Sequence, residues 1–272
     1  MTLRLLVAAA AALFPVAVAA QQAPPPPPGS DALADDILVE AERERPPGEE
    51  RVANAKGSIS PLPSASAVAN RYKFELSERI AKCALRGRFS KPADLAAVID
   101  DAPNKASQVW AQDRLKRRYV TCSESVQLLE FSVPILGYSI YDRGALTIEA
   151  IRTYAPDLVL TTKETGDPAV QARFNAREVP RNRYRFPLDY RYFEVAVCMV
   201  RLQPRLAVRL VNTEDPKRVT QLASWIIEEA RICVGDARQV NFDPTQFRMF
   251  IADAVYRWTV AVRGTASLLP SG

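Results

Sequence analysis

Four cysteines constrain this chain more than any other feature, because they fall in two matched spacings. Cys83-Ala-Leu-Arg86 is answered by Cys122, and Cys198-Met-Val-Arg201 is answered by Cys233. An apolar stretch bounded by arginines follows each pair: Arg143 to Arg152 (RGALTIEAIR) and Arg248 to Arg257 (RMFIADAVYR). The pattern predicts an internal duplication, two helical units of one plan joined in tandem.

The N-terminus sets the compartment in which the cysteines are read. Arg4, an apolar run from Leu5 to Val18 and the small residues Ala17-Val18-Ala19-Ala20 form the three zones of a secretory signal peptide. The run is shorter than the ~20 residues that a spanning helix needs, and no other segment is apolar enough to span. Residues 1–20 are therefore assigned as a signal peptide and the remainder as periplasmic or secreted. In an oxidising compartment an even cysteine count means disulfides. Four cysteines allow three pairings, and the duplication favours Cys83–Cys122 with Cys198–Cys233. Each bridge closes a loop that the chain-entropy model values at about 4 kcal/mol.

Residues 21–70 are expected to be a disordered leader. Pro24 to Pro28 is polyproline, and residues 31–51 hold eight acids with little to bury. Within the leader, Ile37-Leu38-Val39 resembles the short segment that outer-membrane TonB-dependent receptors offer for strand addition. The first helical unit is placed at 71–154 and the second at 192–265. In the first, Ala111, Leu115, Tyr119 and Cys122 share one stripe. In the second, Leu222, Ile226, Ala230 and Cys233 repeat that stripe at the same spacing. Pro92 and Pro204 each open a short second helix, where a missing N–H costs nothing. Val126 to Val133 and Gln239 to Phe242 are expected to be extended. The connector, 155–191, is read as a strand at Leu158 to Thr162, a bend at Glu164 to Asp167, and an extended stretch in which arginine and aromatic residues alternate.

Removing the signal and the acidic leader leaves about +9 of net charge on residues 52–272. A basic exported domain points to an anionic envelope polymer or an envelope protein as partner, not to nucleic acid. Arg181, Arg183, Tyr184, Arg185, Tyr190 and Arg191 are the candidate residues for that contact, through ion pairs and stacking. The cluster Arg114 to Arg118 is read as a solvated helix face. Histidine is absent altogether, which excludes Ser-His-Asp and Cys-His nucleophiles and histidine-bearing zinc sites. There is no phosphate loop or nucleophile elbow, so no catalytic residue, cofactor or metal is assigned. A hydrolase assembled from dispersed carboxylates stands as an alternative.

At the level of the units, Cys198-Met-Val-Arg201, Pro204, Cys233 and Arg248 to Tyr256-Arg257 resemble a set of exported bacterial proteins built from tandem Cys-x-x-Arg helical units. Cys83-Ala-Leu-Arg86, Pro92, Cys122 and Arg143-Gly-Ala-Leu146 to Arg152 fit with a short expansion. The resemblance implies no activity. The expected fold is mainly α, with two tandem disulfide-stapled helical units, a few short extended segments and a disordered leader. The expected function is non-enzymatic binding or scaffolding in the envelope, or an accessory role in a TonB-type system through Ile37 to Val39.

Overall fold

Proline and aspartate punctuate the helices. Asp167, Asp215 and Asp243 are N-caps, each followed by a proline in the first turn, and their side chains accept from backbone N–H groups of that turn, two each for Asp167 and Asp215 and one for Asp243. The computed structural model describes residues 58–61, 64–86, 92–119, 122 and 139–270. The chain runs β1 (Ser58–Pro61), α1 (Ser64–Arg86), α2 (Pro92–Ile99), α3 (Ala106–Tyr119), α4 (Ile140–Tyr154), α5 (Thr162–Gly166) and α6 (Pro168–Asn182). It continues through α7 (Pro187–Leu202), α8 (Pro204–Asn212), α9 (Pro216–Glu229), a 3-10 turn (Arg231–Val234), β2 (Gln239–Phe242) and α10 (Pro244–Arg263). The signal segment, Ile37 to Val39 and Val126 to Val133 lie outside the described residues.

The last helix is the axis. Every residue of α10 from Arg248 to Ala261 is buried, because α4, α6, α7, α8, α9 and α1 all pack on it. A helix surrounded in this way has no solvent face to keep polar, so its charged residues must find partners inside. Helix α4 is the second axis, buried from Asp142 to Ile151. The two cross at Gly144, where an added Cβ would lie 2.5 Å from Met249 Cγ and 2.8 Å from Met249 Cβ. Glycine is required there for close approach. Gly264, at φ 64°, ends α10 in the left-handed region that favours glycine.

Both cysteine pairs are disulfides, Cys83–Cys122 and Cys198–Cys233. The two stripes are buried: Ala111, Leu115 and Tyr119 on α3, Leu222 and Ile226 on α9, with Ala230 just beyond it. They belong to one continuous apolar core, together with α1, α4, α7 and α10. Among the described residues no helix is long and apolar enough to cross a membrane.

Several expectations are corrected. Ser58–Pro61, assigned to the leader, pairs in parallel with Gln239–Phe242, and α1 begins at Ser64, not near residue 71. The ladder partner lies far away in sequence, so a local reading could not supply it. Leu158 to Thr161 carries no strand, Thr162 already opens α5, and α5 replaces the bend at Glu164. Thr161 and Glu164 form a reciprocal capping box that starts this helix. The Arg/aromatic stretch is not extended either. It is the end of α6, a turn and the start of α7. Lys116, read as solvated, is buried 3.2 Å from Asp142.

Candidate functional site

The connector helices bring chemistry into the interior of the molecule. Arg185, in the turn between α6 and α7, has a side chain 0 % exposed. It donates from Nη2 to Asp253 Oδ2 at 2.8 Å and lies 3.5 Å over the ring of Phe193. Arg257, one turn along α10, donates from Nε to the other oxygen of Asp253 at 3.0 Å. Asp189 stands 3.6 Å from both Arg143 and Arg185. Glu178 of α6 is 3.3 Å from Arg177, 3.4 Å from Arg181 and 3.9 Å from Arg257. Asp100 takes hydrogen bonds from Arg177, from the Tyr256 hydroxyl and from Ser267.

Charge compensation explains the titration of this cluster. Burial opposes ionisation of Asp253, but Arg257, Arg185 and Arg143 outweigh it and hold the carboxyl well below the usual range. Burial likewise opposes the Arg257 charge, and Asp253, Glu178 and Asp100 hold its pKa above the ordinary value. Burial, and then the Asp100 carboxylate, push the Tyr256 phenol up to about 12. Burial pushes Arg143 and Arg181 down. A buried charge cluster adds little net stability over apolar packing of the same volume, but removing one member strands the others at a high cost.

Two arginines donate to carbonyls at the ends of short helices. Arg257 Nη2 donates to the carbonyl of Ile99 at 2.7 Å, at the end of α2. Arg152 Nη2 donates at 3.4 Å to the carbonyl of Val211, near the end of α8, a carbonyl that also accepts from Arg248 Nη2 at 2.9 Å. Each acceptor stands seven residues after the proline that opens its helix, and each donor nine residues after the arginine that opens its own apolar stretch. Both arginines thus reach carbonyls that a helix end leaves without an intrahelical donor.

Helices α6 and α7 rest side by side on α10 and leave a groove of about 310 Å³ between them. Its floor is Trp258 stacked on Phe174, centroids 4.3 Å apart, with the indole N–H donating to the carbonyl of Val197. Gln171, Asn175, Glu178 and Asn182 form the α6 wall, a single stripe at helical spacing. Tyr190, Glu194 and Arg201 form the facing stripe on α7. Glu178 Oε2 and Asn182 Oδ1 are buried and accept no hydrogen bond among the described residues, Oε2 lying 3.9 Å from Arg257 Nε. A hydrogen bond from the Tyr190 hydroxyl to Glu194 is the main reason its pKa is raised.

The candidate residues read from sequence separate into three environments. Arg185 is buried against Asp253, and Arg181 is held by Glu178. Arg183 is exposed, donating to the Tyr184 hydroxyl and lying 4.8 Å over its ring, and Arg191 is exposed. Of the six, Tyr190 alone lines the groove. The residues that sequence reasoning missed are those of the α6 wall. Their signal was present in the spacing of 171, 175, 178 and 182, but a wall of amides and a carboxylate has no hydropathy contrast to reveal it. Among the described residues no group of acids and cysteines is arranged to hold a metal ion. Neither family models, curated proteins nor solved structures yield a match to this chain.

Proposed function

We propose that this is an exported, non-catalytic binding protein of the cell envelope, periplasmic or secreted, whose recognition element is the α6–α7 pair. One observation carries the reading. The groove of about 310 Å³ lies between α6, in the segment that joins the two cysteine-bearing halves, and α7 and α10 of the second half, so one of its walls stands outside the duplicated plan and is free to diverge. The volume is at the lower end of the range for ligand sites, and an aromatic floor under a few polar walls is their usual composition. Arg183 in the turn and Arg191 and Arg201 on α7 are among the exposed cations of this region, available to an anionic envelope partner lying across the pair.

The reading includes the duplication. In it α1, α2, α3 and α4 correspond to α7, α8, α9 and α10. The mirrored contacts of Arg257 with Ile99 and of Arg152 with Val211 support it, since each half then caps the short helix of the other. The equivalent positions also trade chemistry as a set. Ser77, Lys116 and Asp142 are joined as a buried polar trio in the first half, and Tyr192, Ile227 and Phe247 stand at the matching positions of the second.

Binding is favoured over hydrolysis by dispersed carboxylates. Both Glu178 and Glu194 line the groove, but Glu178 is shared among three guanidinium groups, which leaves no free pair of acids.

Photo-crosslinking in the native envelope tests the proposal. A crosslinking amino acid at position 175, in the α6 wall, is expected to capture a defined adduct that the same group at position 110, on the outer face of α3, does not. Identical adduct patterns at both positions, or none at 175, would remove the groove as the recognition element.

A further inference from the structure

We infer that the tip of the α6–α7 hairpin docks the protein on an anionic phospholipid bilayer, lying in the membrane surface without crossing it. The inference rests on the reading that an anionic partner lies across this helix pair, and it names that partner. Charge is sorted at the tip. Between Val179 and Phe193 the sequence holds Arg181, Arg183, Arg185, Arg191 and a single acid, Asp189. Asp189 is buried 3.6 Å from both Arg143 and Arg185, and Glu178, just before Val179, is buried among Arg177, Arg181 and Arg257. Both acids are consumed inside, while Arg183 and Arg191 face water. The next exposed acid along α7 is Glu194, about two turns past the N-cap Phe186. Asn104, in the neighbouring α2–α3 turn, lies 3.5 Å from Asp189, and the acids of that turn are also engaged, Asp100 by Arg177 and Asp101 by Lys105.

The same tip exposes apolar surface. Val179 is 63 % exposed and Phe186 46 %, and Pro180 and Pro187 beside them are exposed as well. Tyr184 stands half-buried between them, its hydroxyl accepting from Arg183. Apolar side chains interleaved with guanidiniums suit the headgroup layer. The valine and the phenylalanine ring leave water there, the tyrosine spans the boundary, and arginine reaches phosphate oxygens. Neither proline carries an N–H that would lose its water on entry. An acidic protein would also satisfy the arginines, but it would need a shaped counterpart for Phe186 and Val179. A fluid bilayer needs none.

Flotation of the full disulfide-bonded chain tests this, with vesicles of phosphatidylcholine alone and of phosphatidylcholine mixed three to one with phosphatidylglycerol. The chain is expected to float with the mixed vesicles only and to be released by added salt. Arg183→Glu combined with Arg191→Glu should weaken binding by about tenfold or more, since each cation near an anionic surface is worth about fivefold. Phe186→Ser should weaken it by about fivefold through the lost apolar contact. Arg205→Glu combined with Arg209→Glu makes the same change of net charge at exposed sites on α8, beyond the far end of α7. That pair should leave binding within about twofold of the parent. Circular dichroism of each variant should match that of the parent. The inference fails if neither vesicle binds, if both bind equally, if the Arg183/Arg191 pair leaves binding unchanged, or if the α8 pair matters as much. A crosslinker at position 186 that captures a protein while mixed vesicles do not bind assigns the tip to that protein and removes the bilayer. A defined adduct at 175 without vesicle binding keeps the groove as recognition element and removes only the bilayer. Failure of both experiments removes both readings.

Discussion

Arg257 joins the end of one half of the molecule to the end of a helix in the other, its Nη2 donating 2.7 Å to the carbonyl of Ile99 while its Nε holds Asp253. Its side chain is 1 % exposed. Truncation therefore leaves two buried acids, Asp253 and Glu178, short of their cation. Arg257→Leu is expected to destabilise by about 3–5 kcal/mol, read as a fall in the midpoint of urea unfolding. Arg257→Lys keeps the charge but loses the fork of donors and should recover only part of that loss.

Gly144→Ala tests the crossing of α4 with α10. The new Cβ would overlap Met249 from Cβ to Sδ, and because the Met249 Cβ is fixed to its backbone the helices must separate. A cost of about 1–3 kcal/mol is expected. Met249→Ala in the same chain should recover part of it, giving a non-additive cycle in chemical denaturation.

The polar trio of the first half should behave as one unit. Ser77 donates to Asp142 at 2.5 Å, and Lys116 lies 3.2 Å from the other oxygen of the same carboxylate. Lys116→Met alone strands a buried acid and is expected to cost about 3–5 kcal/mol. Adding Asp142→Leu should cost less than the sum of the two singles, since the second change removes the stranded charge. Additive losses would mean that the pair is not coupled.

Acid should unfold the protein through Asp253. Its folded pKa is depressed, by Arg257, Arg185 and Arg143 against the opposing effect of burial. The stability it contributes is then fully present above the unfolded value of about 4 and is lost as pH falls through the folded value. Thermal midpoints measured from neutral pH downward should drop steeply below about pH 4. Asp253→Asn should start lower and show a shallower acid limb; parallel profiles would assign the acid sensitivity to other carboxylates.

What the sequence made legible was whatever depends on local period. The stripes of α3 and α9, the pairing of Cys83 with Cys122 and of Cys198 with Cys233, and the mainly helical class all follow from spacing. The connector did not, because its inward faces carry charge. Arg185, Asp189 and Phe193 lie at helical spacing and are all buried, but alternation of arginine with aromatic residues reads as a period of two. A pattern method that places charge outside turns that face outward. Similarly, β1 was unreadable because Ser58–Pro61 is ordered by a partner near the other end of the chain.

The two cysteine-bearing halves share a single core, and Arg257 and Arg152 each reach a helix end of the other half. Trp110 on α3 and Trp225 on α9 are exposed reporters, each with an arginine over its ring, one in each half. Equilibrium unfolding of two single-tryptophan variants, with the remaining tryptophans replaced by phenylalanine, compares the halves directly once the midpoints are corrected for each variant's overall stability by far-UV circular dichroism. Each tryptophan is expected to report the same transition as the whole chain, and Arg257→Leu to lower both midpoints together. Two separated transitions, or an Arg257→Leu effect confined to Trp225, would contradict it.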